Sequence, residues 1–136
     1  MLVFFILPEQ GSLESFRDTY PADTPVDMLN LLRFREQANY SSDMAAEPCS
    51  GAEAFNRYGE AIAPLLAARD AEPIWQGKQA AMVIGPQDKD WHLAVLVRYP
   101  TASAFLDMVT SPEYQAIAGH RSAALDDSRL IAFRPL

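Results

Sequence analysis

The stretch of sequence that decides the fold covers residues 91–130 and reads WHLAVLVRYPTASAFLDMVTSPEYQAIAGHRSAALDDSRL. Over residues 91–99, hydrophobic side chains occupy both faces of an extended chain, which predicts a strand that is covered on both sides. Pro100 ends this strand because it has no amide hydrogen for the ladder. Thr101 and Ser111 are favoured N-cap residues, so two helical pieces are expected to follow.

The segments that precede this stretch supply further elements. Residues 26–35 again carry apolar side chains on both faces, which predicts a second strand. Ser50 fits a capping box at the start of an amphipathic helix, and Pro64 is expected to kink or break that helix. Residues 72–79 and 80–84 together predict one interrupted strand, which a hairpin loop joins to the strand at residues 91–99.

The two ends of the chain complete the predicted topology. Residues 2–7 are continuously apolar and predict a strand over residues 1–7, Ser12 is a candidate N-cap for a short helix, and residues 128–134 are predicted to form the last strand. The order β, α, β, α, β, β, α, β contains the βαββαβ pattern, preceded by an extra strand and helix. The sequence therefore predicts an α+β fold with a ferredoxin-like antiparallel sheet and its helices on one face.

The chain has 136 residues, a length typical of one domain. We expect a single domain over residues 1–136, in which residues 1–24 are an N-terminal strand and helix extension and residues 25–134 are the core. Because the strands carry apolar residues on both faces, the sheet face without helices would expose a large hydrophobic surface. A second copy of the chain that covers this face, giving a homodimer, is the simplest remedy.

Composition excludes several classes of protein. The 11 Lys and Arg against 18 Asp and Glu give a net charge of -7, which disfavours nucleic acid and anionic membranes as partners. Cys49 is the only cysteine, so no disulfide can form within the chain. The apolar run at residues 1–7 lacks the basic region of a secretory signal. We therefore expect a cytoplasmic protein.

Four segments together resemble a known family. They are residues 28–36 (MLNLLRFRE), 50–66 (SGAEAFNRYGEAIAPLL), 91–100 (WHLAVLVRYP) and 111–131 (SPEYQAIAGHRSAALDDSRLI). Over roughly residues 25–134 the chain resembles the family catalogued as domain of unknown function thirteen-thirty. The SPEYQ motif with the following Arg121 is the most specific part. The resemblance implies a ferredoxin-like dimeric α+β barrel and no established activity, because the wider superfamily includes cofactor-free monooxygenases, haem enzymes and binding modules.

His120 and Arg121 are the most attractive candidates for chemistry. A histidine that titrates near neutrality beside a fixed cation can move a proton and hold an anionic substrate. The structural alternative is that His120 caps carbonyls near a helix end while Arg121 pairs with Asp126 or Asp127. This alternative is the stronger of the two.

Other candidates for a ligand site are polar or aromatic residues in apolar surroundings. Asn30 interrupts a leucine-rich strand, and its amide either orients a ligand or bonds a neighbouring side chain across the sheet. Aromatic side chains such as Tyr58 wall a cavity or simply pack in the core. The full ligand-binding set is Asn30, Arg33, Tyr58, Trp75, Arg98, Tyr114 and Arg121.

No motif indicates a metal or a cofactor. The two histidines are far apart in sequence, and no GxSxG, P-loop or GxGxxG pattern occurs. The leading hypothesis is a homodimer that binds a small organic metabolite, with an acid held by arginine, under a lid formed by the loop at residues 36–50. The alternatives are a cofactor-free oxygenase or isomerase with His120 as base, and a non-catalytic assembly module in which Trp75, Tyr58 and Phe55 fill the pocket.

Overall fold

The computed structural model describes residues 5–136. This part contains four strands and four helices. The strands are β1 (Val26–Phe34), β2 (Glu72–Gly77), β3 (Leu93–Tyr99) and β4 (Leu125–Phe133), and the helices are α1 (Ser12–Thr19), α2 (Gly51–Ala67), α3 (Ala102–Thr110) and α4 (Pro112–Ala124). The strands form one sheet in the order β2-β3-β1-β4, and every neighbouring pair is antiparallel. The predicted ferredoxin-like α+β arrangement is confirmed.

Local hydrogen bonds explain where the helices begin. The Ser50 hydroxyl accepts from the Glu53 amide at the start of α2, and Thr101 and Ser111 accept in the same way at α3 and α4. Each cap satisfies an amide that has no partner inside its helix. The helix α2 continues through Pro64 to Ala67, so the predicted break is absent. Pro64 lies in the last turns of α2, where few residues remain to be displaced.

The register of the sheet separates its residues into two faces. On the first face, which packs against the helices, β1 places Val26, Met28, Asn30 and Leu32. Much of the core lies between this face and the residues Leu66 of α2 and Phe105 and Met108 of α3. The second face has no helix over it among the described residues. It presents one apolar row across all four strands, formed by Ile131, Leu29, Leu96 and Trp75.

Two predicted strand segments differ in the structure. Residues 5–7 are not a strand, and residues 1–4 of the predicted first strand lie outside the described residues. The strand predicted at residues 80–84 is absent, because β2 ends at Gly77 and residues 78–92 form a loop. In this loop Val83 and Ile84 are 87% and 94% exposed. An apolar run becomes a strand only where a neighbouring strand can pair with it, and β3 does not begin until Leu93.

Candidate functional site

A cavity of about 940 Å³ lies between the helix-covered face of the sheet and the helices above it. A smaller cavity of about 410 Å³ adjoins it on the side of β4. Both are bordered by Met28, Phe105, Arg121 and Leu130, so these residues lie where the two cavities meet. Cavities of this size accept small organic molecules.

One row of side chains forms the floor of the larger cavity. Leu130 on β4 lies opposite Asn30 on β1, Asn30 lies opposite Val95 on β3, and Val95 lies opposite Gln76 on β2. All four side chains border the cavity. The floor therefore crosses the whole width of the sheet, with an amide near its centre and another at the β2 edge.

The helix α2 forms part of the roof. Gly59 borders the cavity, and a Cβ atom built at this position would have nothing within 4 Å. The missing side chain therefore leaves open space above the floor. Beside it, the Tyr58 hydroxyl lies 3.0 Å from the Tyr114 hydroxyl of α4. Burial, and then the neighbouring Tyr114, raise the pKa of Tyr58 well above its usual value, so this phenol stays protonated and acts as a hydrogen-bonding group.

Arg121 brings a positive charge to the β4 side of the cavity. Its Nη1 donates to the Ile6 carbonyl at 3.0 Å. Among residues 5–136 no carboxylate lies within ion-pair distance of Arg121. Asp127 instead pairs with Lys89 and Arg129, and Asp126 lies 3.4 Å from Arg33. The expected pairing of Arg121 with Asp126 or Asp127 is therefore wrong, and most of its donors remain for a ligand.

Asn30 also keeps bonding capacity. Its Nδ2 donates to the Val95 carbonyl across the sheet at 3.3 Å and to the Met28 carbonyl at 3.4 Å. The amide thus bonds backbone carbonyls and not the neighbouring side chain considered from the sequence. No described residue donates to its Oδ1, which leaves an acceptor at the cavity floor.

His120 does not border either cavity. Its Nδ1 lies 2.7 Å from the Tyr40 hydroxyl, which also accepts from Arg57 at 3.3 Å. The Tyr40 hydroxyl can donate to His120 or accept from it, and the direction of this bond depends on the tautomer of the imidazole. Burial, and then the charge of Arg57, lower the pKa of His120, so the ring is neutral near pH 7. Successive residues of a helix point about 100° apart, and this separates His120 from Arg121.

The loop at residues 36–50 does not act as a lid in this structure. Its residues border neither cavity. It packs instead on the end of α4, where the Asn39 amide donates to the Ala123 carbonyl at 2.9 Å and the Met44 side chain lies against Gly119. The lid predicted from the sequence is therefore not supported.

Three other candidates lie outside the cavity. Arg98 makes a bidentate ion pair with Asp27, at 2.8 Å for both hydrogen bonds, and Arg33 pairs with Asp90. Trp75 is 55% exposed on the second face of the sheet. Of the predicted site residues, the structure brings together Asn30, Tyr58, Tyr114 and Arg121.

Several polar residues that border the cavity were not identified from the sequence. They are Asn56 and Glu60 on α2, Gln76 on β2, and Gln115 and Ser122 on α4. Asn56 and Glu60 are four residues apart and therefore lie on the same side of the helix. This spacing can be recognised in the sequence. Within residues 5–136 no three His, Cys, Asp or Glu side chains lie close enough together to hold a metal ion.

The fold and its cavity define the class of the protein, an α+β protein with a ferredoxin-like sheet and a cavity beneath its helices. The sequence model of the family described as Domain of unknown function (DUF1330) matches residues 46–134. The chain belongs to this family, as the resemblance predicted.

A protein of unknown function from Rhodopseudomonas palustris is similar over nearly the whole chain. The two share 36% identity over 98% of each chain, with a TM-score of 0.89. A dimeric protein of unknown function with a ferredoxin-like fold from Bacteroides fragilis is 16% identical over 85% of this chain and 100% of that one, with a TM-score of 0.52.

The hydroxynitrile lyase from Passiflora edulis is 10% identical over 84% of this chain and 95% of that one, with a TM-score of 0.53. At these low identities, both it and the Bacteroides fragilis protein show the shared fold alone. No curated protein matches the sequence significantly. No helix in the described part of the chain is long and apolar enough to span a bilayer.

Proposed function

We propose that this protein binds a small organic acid in the larger cavity and that Arg121 holds the carboxylate. The observation that carries the proposal is a guanidinium that borders the cavity and has no carboxylate partner among the described residues. Planar guanidinium groups match the geometry of carboxylates and bond them in pairs. In a chain with a net charge of -7, a cation without an internal counterion is a specific feature.

The rest of the cavity suits an organic molecule with few polar groups. Its walls are largely apolar, with Met28, Val97, Phe105 and Met108 among the lining residues. Burial of an apolar ligand body against such walls supplies most of the favourable free energy of binding. The Asn30 carbonyl and the tyrosine hydroxyl pair then fix the orientation of the ligand.

The geometry favours binding over the two alternatives. A base that acts on a bound substrate has to lie within hydrogen-bond reach of it, and His120 borders neither cavity. An assembly module was expected to fill its pocket with Trp75, Tyr58 and Phe55. Trp75 instead lies on the opposite face of the sheet, and Gly59 leaves the roof open.

We also propose that the protein is a cytoplasmic homodimer formed through the second face of the sheet, with residues 1–136 as one domain. On that face Ile131 and Phe133 are 39% and 48% exposed and Trp75 is 55% exposed. Such contiguous apolar surface is typical of protein interfaces. The dimeric state of the Bacteroides fragilis protein is consistent with this proposal.

Isothermal titration calorimetry with octanoate, benzoate and their neutral amides tests the binding site. We expect the acids to bind more tightly than the amides, and Arg121→Gln to remove that preference. Arg17→Gln is the matched control, because Arg17 is an exposed arginine on α1 that borders neither cavity. Equal binding of acids and amides by the unaltered protein would contradict the proposal.

A further inference from the structure

Resting on the proposed function, we infer that the ligand is an elongated acid with a cationic group at its far end, so that its carboxylate meets Arg121 and its ammonium meets Glu60. Among the residues that line the cavity, the charged side chains are Arg121 and Glu60. Its shape and its charges together select an ω-amino acid over a compact acid.

The length follows from the floor of the cavity. The row from Leu130 to Gln76 crosses all four strands. Three strand spacings of about 4.8 Å make this row about 14 Å long. Because an extended chain zigzags, it advances about 1.2 Å for each bond, so a molecule of roughly ten bonds in sequence covers about 12 Å of the row. Its hydrogen bonds to the groups at the two ends cover the remaining distance. A short acid such as propionate reaches only one end.

The Arg121 end lies on the side of β4. Arg121 and Leu130 border both cavities, and the smaller cavity also touches Ser128 and Ala132 of β4. On α4, the residues Tyr114, Ala118 and Arg121 follow helical spacing and all border the larger cavity. The guanidinium is therefore directed to this end by a continuous helix face.

The opposite end lies at β2. Asn56, Glu60, Ala63 and Ala67 follow the spacing i, i+4, i+7 and i+11, which places them on the side of α2 away from Tyr58. All four border the cavity, together with Pro73 and Gln76 of β2. Tyr58 bonds Tyr114 of α4, so the opposite side of α2 is turned toward the β2 edge. Glu60 thus lies near the end of the floor row that is remote from Arg121.

Glu60 is available for a ligand cation. Among residues 5–136 it has no ion pair, and its side chain is exposed at the cavity edge. Arg57, the basic residue nearest to it in sequence, is engaged by the Glu47 carbonyl at 2.9 Å and by the Tyr40 hydroxyl. Asn56 of α2 and Gln76 of β2 also border the cavity and add neutral hydrogen-bonding groups. A primary ammonium, with three donors, complements this set.

Calorimetry with 8-aminooctanoate and octanoate tests the inference. We expect the unaltered protein to bind 8-aminooctanoate about fivefold more tightly than octanoate, the upper end for a partly exposed ion pair. We expect Glu60→Gln to bind the two compounds equally tightly, and to bind octanoate as tightly as the unaltered protein does. Glu14→Gln, at an exposed acidic residue of α1, is the matched control and should keep the ratio. The short 4-aminobutanoate should gain nothing over butanoate, because it cannot reach both ends.

The outcomes separate this inference from the proposed function. If octanoate binds in an Arg121-dependent way while 8-aminooctanoate binds no tighter, the bipolar ligand is overturned and the acid site stands. If Glu60→Gln still binds 8-aminooctanoate more tightly than octanoate, the assignment of the ligand ammonium to Glu60 is overturned. If neither compound binds the unaltered protein, both ideas fail together.

Discussion

The Arg121 guanidinium donates to the Ile6 carbonyl at 3.0 Å and borders the cavity at the same time. A backbone carbonyl satisfies one donor of the guanidinium but does not neutralise its charge. The bond fixes the position of the side chain, so the carboxylate of the proposed ligand would meet an arginine that is already oriented. Such preorganisation lowers the entropic cost of binding.

Because Arg121 makes both contacts, we predict that a lysine at this position does not restore binding of the acid. A lysine keeps the charge but has a single nitrogen, so it cannot hold the Ile6 carbonyl and a bidentate carboxylate together. We expect octanoate to bind about tenfold more weakly to Arg121→Lys, a loss of about 1.4 kcal/mol. Titration calorimetry gives the measurement, and Arg17→Lys is the control. Wild-type affinity in Arg121→Lys would show that charge alone is sufficient.

Gly59 and Gly51 lie on the same helix and predict opposite responses to alanine. A Cβ at Gly59 meets nothing within 4 Å, so Gly59→Ala is expected to stabilise the protein by about 0.5–1 kcal/mol. A Cβ at Gly51 would press on the backbone of Arg35 and lie 2.7 Å from the Ala124 carbonyl oxygen. Gly51→Ala is therefore expected to cost about 2 kcal/mol. Urea denaturation of both variants measures whether each substitution raises or lowers the free energy of unfolding.

The open space at Gly59 also allows a test of where the ligand binds. A larger side chain such as that of Gly59→Leu should occupy the cavity and block octanoate, while the fold remains intact. Thermal unfolding checks the fold, and calorimetry checks the binding. Full octanoate affinity in a folded Gly59→Leu would place the ligand elsewhere.

The sequence predicted the features that depend on neighbouring residues. The caps at Ser50, Thr101 and Ser111 were identified because a hydroxyl and an amide three residues later suffice to form them. Asn30 was identified because an amide in a leucine-rich strand needs hydrogen-bond partners. These inferences needed no knowledge of the tertiary structure.

The errors concern relations between distant segments. Residues 80–84 have the composition of a strand, but no strand lies beside them to complete a ladder. His120 and Arg121 are adjacent in sequence, yet the helix directs one to Tyr40 and the other to the cavity. Glu60 of α2 and Gln76 of β2 border the same cavity only because the chain folds back between them. Such contacts follow from packing and cannot be read from local patterns.

The Asp127 carboxylate predicts a loss of stability in acid. Its side chain is buried, and burial alone would raise its pKa. Hydrogen bonds from Lys89, the Phe5 amide and Arg129 outweigh this effect and lower the pKa to about 2, from 3.8 for an ordinary aspartate. The unfolded chain therefore binds a proton first as the pH falls. Stability from this group is present above about pH 4 and is lost between about pH 4 and pH 2.

Protonation of Asp127 is expected to lower the free energy of unfolding by about 2 kcal/mol, because each pKa unit corresponds to about 1.36 kcal/mol. Asp127→Asn should remove most of this acid-dependent loss and should destabilise the protein at neutral pH, because it removes the charge that Lys89 and Arg129 contact. Asp126→Asn is the control at the neighbouring position. Urea midpoints across this pH range give the comparison, and an unchanged acid transition in Asp127→Asn would count against the assignment.

The lowered pKa of His120 predicts a second pH dependence at milder pH. Burial and the charge of Arg57 disfavour the imidazolium in the folded state, so the unfolded chain binds the proton more readily. Stability is expected to fall as the pH drops below about 6.5, the pKa of an ordinary histidine. His120→Asn should flatten this part of the profile and leave octanoate affinity unchanged. A loss of octanoate binding in this variant would return His120 to the candidate site.

The row formed by Ile131, Leu29, Leu96 and Trp75 predicts where a second copy of the chain binds. Ile131 is 39% exposed in the single chain and would be buried in a dimer formed through this face. A carboxylate at this position would then be removed from water without a partner, which costs several kcal/mol. Ile131→Glu is therefore expected to convert a dimer into a monomer. Size-exclusion chromatography with light scattering measures the mass.

Val83→Glu is the matched control for the dimer. Val83 is 87% exposed in the loop at residues 78–92 and does not belong to the sheet, so the same substitution there should leave the dimer intact. Circular dichroism establishes that both variants are folded. Dissociation by Val83→Glu alone would move the interface to the loop, because burial of the glutamate charge is what separates the subunits. A wild-type protein that is monomeric at micromolar concentration would remove the interface altogether.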